Sequence, residues 1–140
     1  MSTIQERDQA YIAGTYARFP VEIVSGKGSL FVFASYNNGI QTKDDLKIKP
    51  EAYEGSSIQI RAKNNSLRGN DSVTIENGDI VLISESGNGI VTKNTDISIK
   101  GNQRGSVNIL GGHIDIYSAK DAIDAAYDIN VSSTEGLDEP

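Results

Sequence analysis

The chain has 140 residues and a mass of 15.0 kDa, enough for one domain with a modest core. It has no cysteine and one histidine, which excludes disulfides, zinc–thiolate sites and multi-histidine metal centres. The formal net charge of −6 argues against nucleic acid as a partner, because the field would repel phosphates. Apolar runs such as 80–83 are far shorter than the roughly 20 residues of a membrane-spanning helix.

Two short segments flank the central part of the chain. Residues 1–25 start with charged and polar residues without a signal-peptide core, as expected for an excised segment or a mature domain. Within this segment, Thr3 and Glu6 have capping-box spacing ahead of residues 9–13, which predicts a short capping helix. Residues 132–140 are acidic and poor in apolar residues, and we expect this tail to be disordered.

Four repeated units lie between these segments and share one order of residue types. Two branched apolar residues at spacing two precede a small residue, a turn, another apolar residue and a second small residue. A further apolar pair at spacing two follows each unit. The apolar residues directly after the turns are Ile40, Leu67, Ile90 and Ile123.

These repeats favour stacked short strands over hairpins. The units recur at intervals of 27, 23 and 33 residues, and the Asn-Gly pairs lie between strands of only two or three inward positions. We therefore predict an all-β fold, a parallel β-helix (solenoid) of about four to five short coils over residues 26–131, with neighbouring coils about 4.8 Å apart. The predicted inward residues are Ile58, Ile60, Leu67, Val73, Ile75, Ile80, Leu82, Ile90, Ile114, Ile116 and Ile123.

The longest interval, from Ile90 to Ile123, contains two apolar pairs at spacing two where the repeat requires one. The third unit is followed first by Ile97 with Ile99, and then by Val107 with Ile109. One pair must lie in an inserted loop or an extra short strand. The pattern leaves open which pair belongs to the coil.

The turns place four polar residues in one column, namely Asn38, Asn65, Asn88 and Asp121. Stacked side-chain amides can form an asparagine ladder along a solenoid and tolerate tight turns. Their oxygens could instead contribute to a calcium or sugar site, since a hard cation accepts neutral amide ligands. The sequence allows both interpretations.

A second predicted column is acidic and consists of Asp45, Asp71, Asp96 and Asp128, with Asp71 one place further from its strand than the others. Stacked carboxylates would repel by roughly 1 kcal/mol per neighbouring pair even at the dielectric constant of water. Splayed, solvated side chains would relieve this repulsion, and so would a calcium ion bridging adjacent coils. The candidate calcium ligands are Asp121, Asp124, Asp128 and Asp96.

Exposed tyrosines and basic residues near the turns are candidates for sugar contacts. A tyrosine ring can stack on a pyranose while its hydroxyl forms hydrogen bonds, and arginine can pair with a uronate carboxylate. Ordinary surface tyrosines, and basic residues that balance nearby aspartates, are the alternative. The candidate carbohydrate-binding residues are Tyr36, Asn38, Lys63, Asn65, Arg68 and Tyr117.

No catalytic constellation is recognisable in the sequence. Asp44 and Asp45 superficially resemble the aspartate pair of pectin-hydrolysing solenoids, but the accompanying Gly-His-Gly and Arg-x-Lys elements are missing. His113 precedes the inward Ile114, so alternation predicts that its side chain faces solvent. We therefore predict a non-enzymatic domain with no catalytic residues.

Several segments resemble the repeats of a bacterial carbohydrate-binding domain family, namely residues 36–45, 67–75, 100–106 and 111–125. That family is similar in fold to pectate lyases, a right-handed parallel β-helix, and its Asp-Gly-Ile element corresponds here to Asn38-Gly-Ile, Asn65-Ser-Leu, Asn88-Gly-Ile and Asp121-Ala-Ile. The resemblance implies a secreted or cell-surface bacterial protein that binds plant-wall polysaccharide and calcium. It implies a role in calcium binding for Asp121 and Asp124, the positions that match the family's motif.

The sequence therefore predicts an extracellular module that binds plant-type or acidic polysaccharide, with calcium as cofactor. Two alternatives differ in class from this one. The solenoid could be a structural stalk or adhesin spacer without a ligand, or it could be a polysaccharide lyase.

Overall fold

The computed structural model describes residues 16–17, 21–23, 29–49 and 57–132, and their regular structure is entirely β-strand. The strands form three parallel sheets, and successive coils add one strand to each sheet. Four complete coils are present, and two further strands extend two of the sheets below the first coil. The predicted all-β parallel solenoid is therefore confirmed. No helix in the described part is long and apolar enough to cross a membrane.

The strands are named in chain order. Below the first coil lie β1 (Tyr16–Ala17) and β2 (Val21–Ile23). The first coil comprises β3 (Ser29–Ala34), β4 (Ile40–Thr42) and β5 (Asp45–Ile48). The second comprises β6 (Ser57–Ala62), β7 (Leu67–Gly69) and β8 (Ser72–Ile75). The third comprises β9 (Asp79–Ser84), β10 (Ile90–Val91) and β11 (Ser106–Ile109). The fourth comprises β12 (His113–Ser118), β13 (Ile123–Asp124) and β14 (Ile129–Val131).

We number the sheets by the order in which the coil enters them. Sheet 1 contains β3, β6, β9 and β12; sheet 2 contains β1, β4, β7, β10 and β13; sheet 3 contains β2, β5, β8, β11 and β14. Because each strand pairs in register with its equivalent one coil away, equivalent residues form straight columns along the solenoid.

The core is a set of apolar columns inside the tube. Alternating residues point inward, as in β6, where Ile58 and Ile60 are buried while Gln59 between them is exposed. Eight of the eleven predicted inward residues are at most 1 % exposed. Ile114, Ile116 and Ile123 are half-buried and pack on this core, because β12 and β13 are the outermost strands of their sheets.

Small residues at the end of the repeated units lie in close contact with neighbouring backbone. Thr42 and Thr92 are buried at 0 % and 2 % exposure. At Gly69 a Cβ atom would overlap the carbonyl oxygen of Ser72 and lie 3.0 Å from the Cβ of Leu46. Only glycine allows the chain to pass so close to the preceding coil.

The structure assigns Val107 and Ile109 to the third coil. They lie on β11, which pairs with β8 so that Val107 is opposite Val73 and Ile109 is opposite Ile75. Ile97 and Ile99, the alternative that the sequence left open, are therefore the inserted pair. Both lie in a loop of residues 93–104, which we call the excursion, where they are 66 % and 105 % exposed.

The excursion is a small antiparallel loop that leaves the coil after Thr92. An isolated bridge joins Ile97 to Gln103, and Gly101 has a positive φ of 90° at the turn. The chain rejoins the coil at Gly105, whose carbonyl oxygen accepts a hydrogen bond from the Thr92 hydroxyl at 2.6 Å. The predicted capping helix at 9–13 and the acidic tail at 133–140 lie outside the described residues.

Candidate functional site

The turns between sheets 1 and 2 form the predicted asparagine ladder. The Asn65 side chain donates to Asn38 Oδ1 at 3.1 Å, and its own Oδ1 accepts the backbone N–H of Asn88 at 2.8 Å. Asn88 Oδ1 in turn accepts the backbone N–H of Asp121 at 2.8 Å. Because Asn38 is 1 % and Asn65 is 7 % exposed, these two predicted sugar contacts are buried and committed to holding coils together.

A polar cleft of about 470 Å³ lies on the outer side of sheet 3. The sheet contributes Ser72, Thr74, Ser106 and Asn108, whose hydroxyl and amide groups can exchange hydrogen bonds with a polar ligand. The excursion forms the facing wall, to which Asn102 belongs. A groove lined by such side chains is suited to a ligand rich in hydroxyl groups.

Three aspartates converge at one end of this cleft. Asp44 precedes β5, Asp45 begins it, and Asp71 occupies the equivalent turn of the next coil, where its N–H donates to the Asp44 carbonyl. One carboxylate oxygen from each lies within 4.8 Å of the others. Carboxylate oxygens are the ligands preferred by calcium, so this group could hold such an ion.

The surroundings of Asp44 disfavour the ionised form of its carboxyl. Partial burial raises the pKa of the Asp44 carboxyl above its usual 3.8, and the neighbouring charges of Asp45 and Asp71 raise it further. The backbone N–H of Asp45 opposes this effect by donating to Asp44 Oδ1 at 3.0 Å. A cation in the cleft would relieve the repulsion.

Asp71 anchors the excursion to the second coil. Its Oδ1 accepts the Asn94 amide at 2.8 Å, and its Oδ2 lies 3.3 Å from Nε of Arg104. Asp71 is 7 % exposed. The Arg104 guanidinium therefore compensates part of the aspartate charge and holds the wall of the cleft against its floor.

The predicted acidic column is wrong at Asp96, which lies in the excursion. Asp45 is opposite Ser72, which is opposite Ser106, whose hydroxyl donates to Asp128 Oδ1. The column therefore has two carboxylates at its ends and two hydroxyls between them. Asp71 lies one position earlier, beside Asp44.

The structure does not bring the four predicted calcium ligands to one point. Asp121 is exposed in a turn, Asp124 Oδ2 accepts the Asn88 amide at 3.4 Å, and Asp128 accepts the Ser106 hydroxyl. Asp96 lies in the excursion, because the apolar pair that follows it is not a strand of the coil. Among the described residues, the acidic group that converges contains Asp44, Asp45 and Asp71.

The remaining predicted sugar-binding residues are dispersed over the surface. Tyr36 is 85 % exposed in the turn after β3, and Lys63 is exposed in the equivalent turn of the second coil. Arg68 lies on β7, half-buried, and its Nε donates to Asn70 at 3.0 Å. Tyr117 points outward from β12 with 63 % exposure. His113 is exposed, as predicted, and lies 3.3 Å from Asp115.

The sequence interpretation missed the outward aromatic residues of β3. Phe31 and Phe33 alternate with the buried Leu30 and Val32, and they are 46 % and 54 % exposed. Outward positions of a strand are normally polar when that face meets solvent. Two phenylalanines at spacing two, out of phase with the inward column, were therefore the sequence signal for an exposed aromatic surface.

A parallel β-solenoid with a polar cleft on one sheet and exposed aromatic rings on another defines a class of ligand-binding repeat domains. Residues 3–137 match the family described as "Carbohydrate-binding domain-containing protein". The chain belongs to this family. This membership supports a carbohydrate as the partner and a binding role. No curated protein and no solved structure gives a significant match.

Proposed function

We propose that the chain is a non-catalytic module that binds acidic polysaccharide, together with calcium, at the surface of a bacterium or outside it. The observation that carries the proposal is the convergence of Asp44, Asp45 and Asp71 within 4.8 Å at the end of the polar cleft. Family membership supports the carbohydrate partner, and the resemblance of the repeats supports the extracellular location.

The residues at this end of the cleft fit a calcium ion. Asp44, Asp45 and Asp71 would hold it, and the hydroxyl of Ser72 lies beside them, since it donates to Asp45 Oδ1 at 2.7 Å. When bound, the ion supplies a positive centre that a uronate carboxylate can reach. Without that centre the three aspartates would repel an anionic sugar.

Arg104 is the basic residue in contact with the proposed calcium ligands. Its guanidinium lies 3.3 Å from the Asp71 carboxylate, and it competes with any cation for that ligand. If the Asp71 carboxylate held a cation, Arg104 would lose this partner, and its guanidinium N–H groups could then pair with a uronate. Calcium and acidic polysaccharide should therefore bind cooperatively.

Calorimetry with calcium, followed by affinity electrophoresis in polygalacturonate with calcium or chelator, tests this function. Asp45→Asn should weaken calcium binding, and Arg104→Gln should tighten it several-fold because a competing cation is gone. Asp79→Asn is the charge-matched control, since Asp79 is exposed on sheet 1 away from the cleft. Retardation that is identical in calcium and in chelator would refute the calcium-dependent part, and no retardation in any polysaccharide would favour a structural spacer.

One observation favours catalysis as a second candidate. A hydrolase uses two carboxyl groups that face one bond, and Asp44 and Asp45 both line the end of the cleft, with burial raising the pKa of Asp44. Following reducing ends and the ultraviolet absorbance of unsaturated products during incubation with polygalacturonate separates the two functions. Sustained turnover that is lost in Asp44→Asn would replace the binding function with an enzymatic one.

A further inference from the structure

The outer face of sheet 1 carries a strip of large side chains along the solenoid axis, apolar except for Arg61. In-register pairing aligns one outward residue from each strand, namely Phe33, Arg61, Ile83 and Tyr117. Phe33 and Tyr117 are 54 % and 63 % exposed. Phe31 and Val81 lie in the adjacent row and widen the strip.

The charged groups on this face include one close ion pair and one histidine–aspartate contact. Arg61 Nε lies 3.0 Å from Glu85 Oε2, and His113 Nε2 lies 3.3 Å from Asp115 Oδ2. Arg61 lies between Phe33 and Ile83 in the row, and the aliphatic stem of an arginine can contribute apolar surface. Asp79 and Asp115 also occupy outward positions of sheet 1, so the face has no excess of positive charge that would attract an anionic sugar.

The dimensions of the face limit what can occupy it. With strands about 4.8 Å apart, Phe33 and Tyr117 are separated by about 14 Å, and the whole face measures about 19 by 20 Å, or about 400 Å². A standard protein–protein interface buries about 800 Å² on each partner, so a second copy would be held weakly by this face alone. A straight strip with a ring at each end matches a short stretch of an extended sugar chain.

We propose that the outer face of sheet 1 is a second carbohydrate-binding surface, which takes a single extended and uncharged polysaccharide chain. The C–H faces of pyranose rings stack on Phe33 and Tyr117, and the Gln59 amide beside the strip can bind ring hydroxyls. This inference goes beyond the proposed function, because it assigns a different surface and a different class of sugar from the calcium-dependent cleft.

Affinity electrophoresis in mixed-linkage β-glucan, an uncharged probe, tests the inference when it is run with chelator. Phe33→Ser and Tyr117→Ser should each weaken binding about tenfold, since each removes one stacked ring. Tyr127→Ser is the matched control, because Tyr127 is 58 % exposed but lies on no strand of sheet 1. It should bind like the unmodified chain, and far-ultraviolet circular dichroism should show that all three variants are folded.

The outcomes separate this surface from the cleft. Both strip variants should retain calcium-dependent binding to polygalacturonate, whereas Asp45→Asn should retain glucan binding. Failure of the unmodified chain to bind any uncharged glucan overturns the inference and leaves the cleft proposal intact. Normal glucan binding by the strip variants also overturns the inference. So does light scattering that shows a dimer of the unmodified chain and a monomer of Phe33→Ser, since the face would then be a contact between two copies.

Discussion

Replacing Asn65 by alanine tests whether the asparagine ladder holds adjacent coils together. The change removes the amide donor to Asn38 at 3.1 Å and the acceptor of the Asn88 N–H at 2.8 Å. Losing one hydrogen bond costs about 0.5–1.5 kcal/mol, and leaving the Asn88 N–H unpaired costs about 1–3 kcal/mol. We expect a loss of about 2–4 kcal/mol from a typical domain stability of about 5–15 kcal/mol.

Urea and thermal denaturation followed by circular dichroism measure this loss. The midpoint temperature should fall by about 6–14 °C for a chain of this size. Asn64→Ala is the matched control, because its amide makes a longer contact of 3.3 Å to Asn37 in a half-buried turn. Its cost should stay below about 1 kcal/mol. Equal losses in the two variants would show that the buried ladder does not stabilise the stack.

The other predictions concern the core and the cleft. Ile60→Asp buries an unpaired charge between two coils and should abolish folding, whereas Gln59→Asp on the exposed side of the same strand should remain folded by circular dichroism. Calcium at 100-fold over its dissociation constant should add about 2.7 kcal/mol to stability, seen as a rise in melting temperature that Asp45→Asn abolishes. Because the pKa of Asp44 is raised on folding, the folded state binds this proton more tightly than the unfolded state, and the carboxyl's contribution to stability falls as pH rises through the folded-state pKa. Asp44→Asn should therefore raise the melting temperature at neutral pH in chelator, and the gain should disappear near and below pH 3.8.

The fold was predictable because a parallel solenoid places equivalent residues directly above one another. The apolar and small residues of one coil therefore recur in the sequence of the next. This recurrence was enough to predict the core residues that the structure shows to be buried. The sequence did not show which apolar pair lies in the excursion, because Ile97 with Ile99 and Val107 with Ile109 have the same local pattern. The sequence held a better clue: residues 106–109 read Ser-Val-x-Ile, like residues 72–75 with which they pair.

The candidate site was harder to predict because its parts are far apart in the chain. Asp44 and Asp71 meet only through the register between two coils, which depends on exact turn lengths. Searching for the densest acidic cluster in the sequence selected residues 121–128 instead, where the carboxylates point to separate partners. Proximity in sequence is a poor guide in a solenoid, because neighbours in space are usually one coil away.

The excursion has a consequence for how such domains diversify. The coil continues without a register change on both sides of it, with the Thr92 N–H donating to the Asp124 carbonyl at 3.1 Å and Val107 opposite Val73. Residues 93–104 thus behave as a variable region mounted on a constant frame. Their length and composition can change under selection for a new ligand while the stacked columns remain untouched, so that one scaffold can give rise to many specificities.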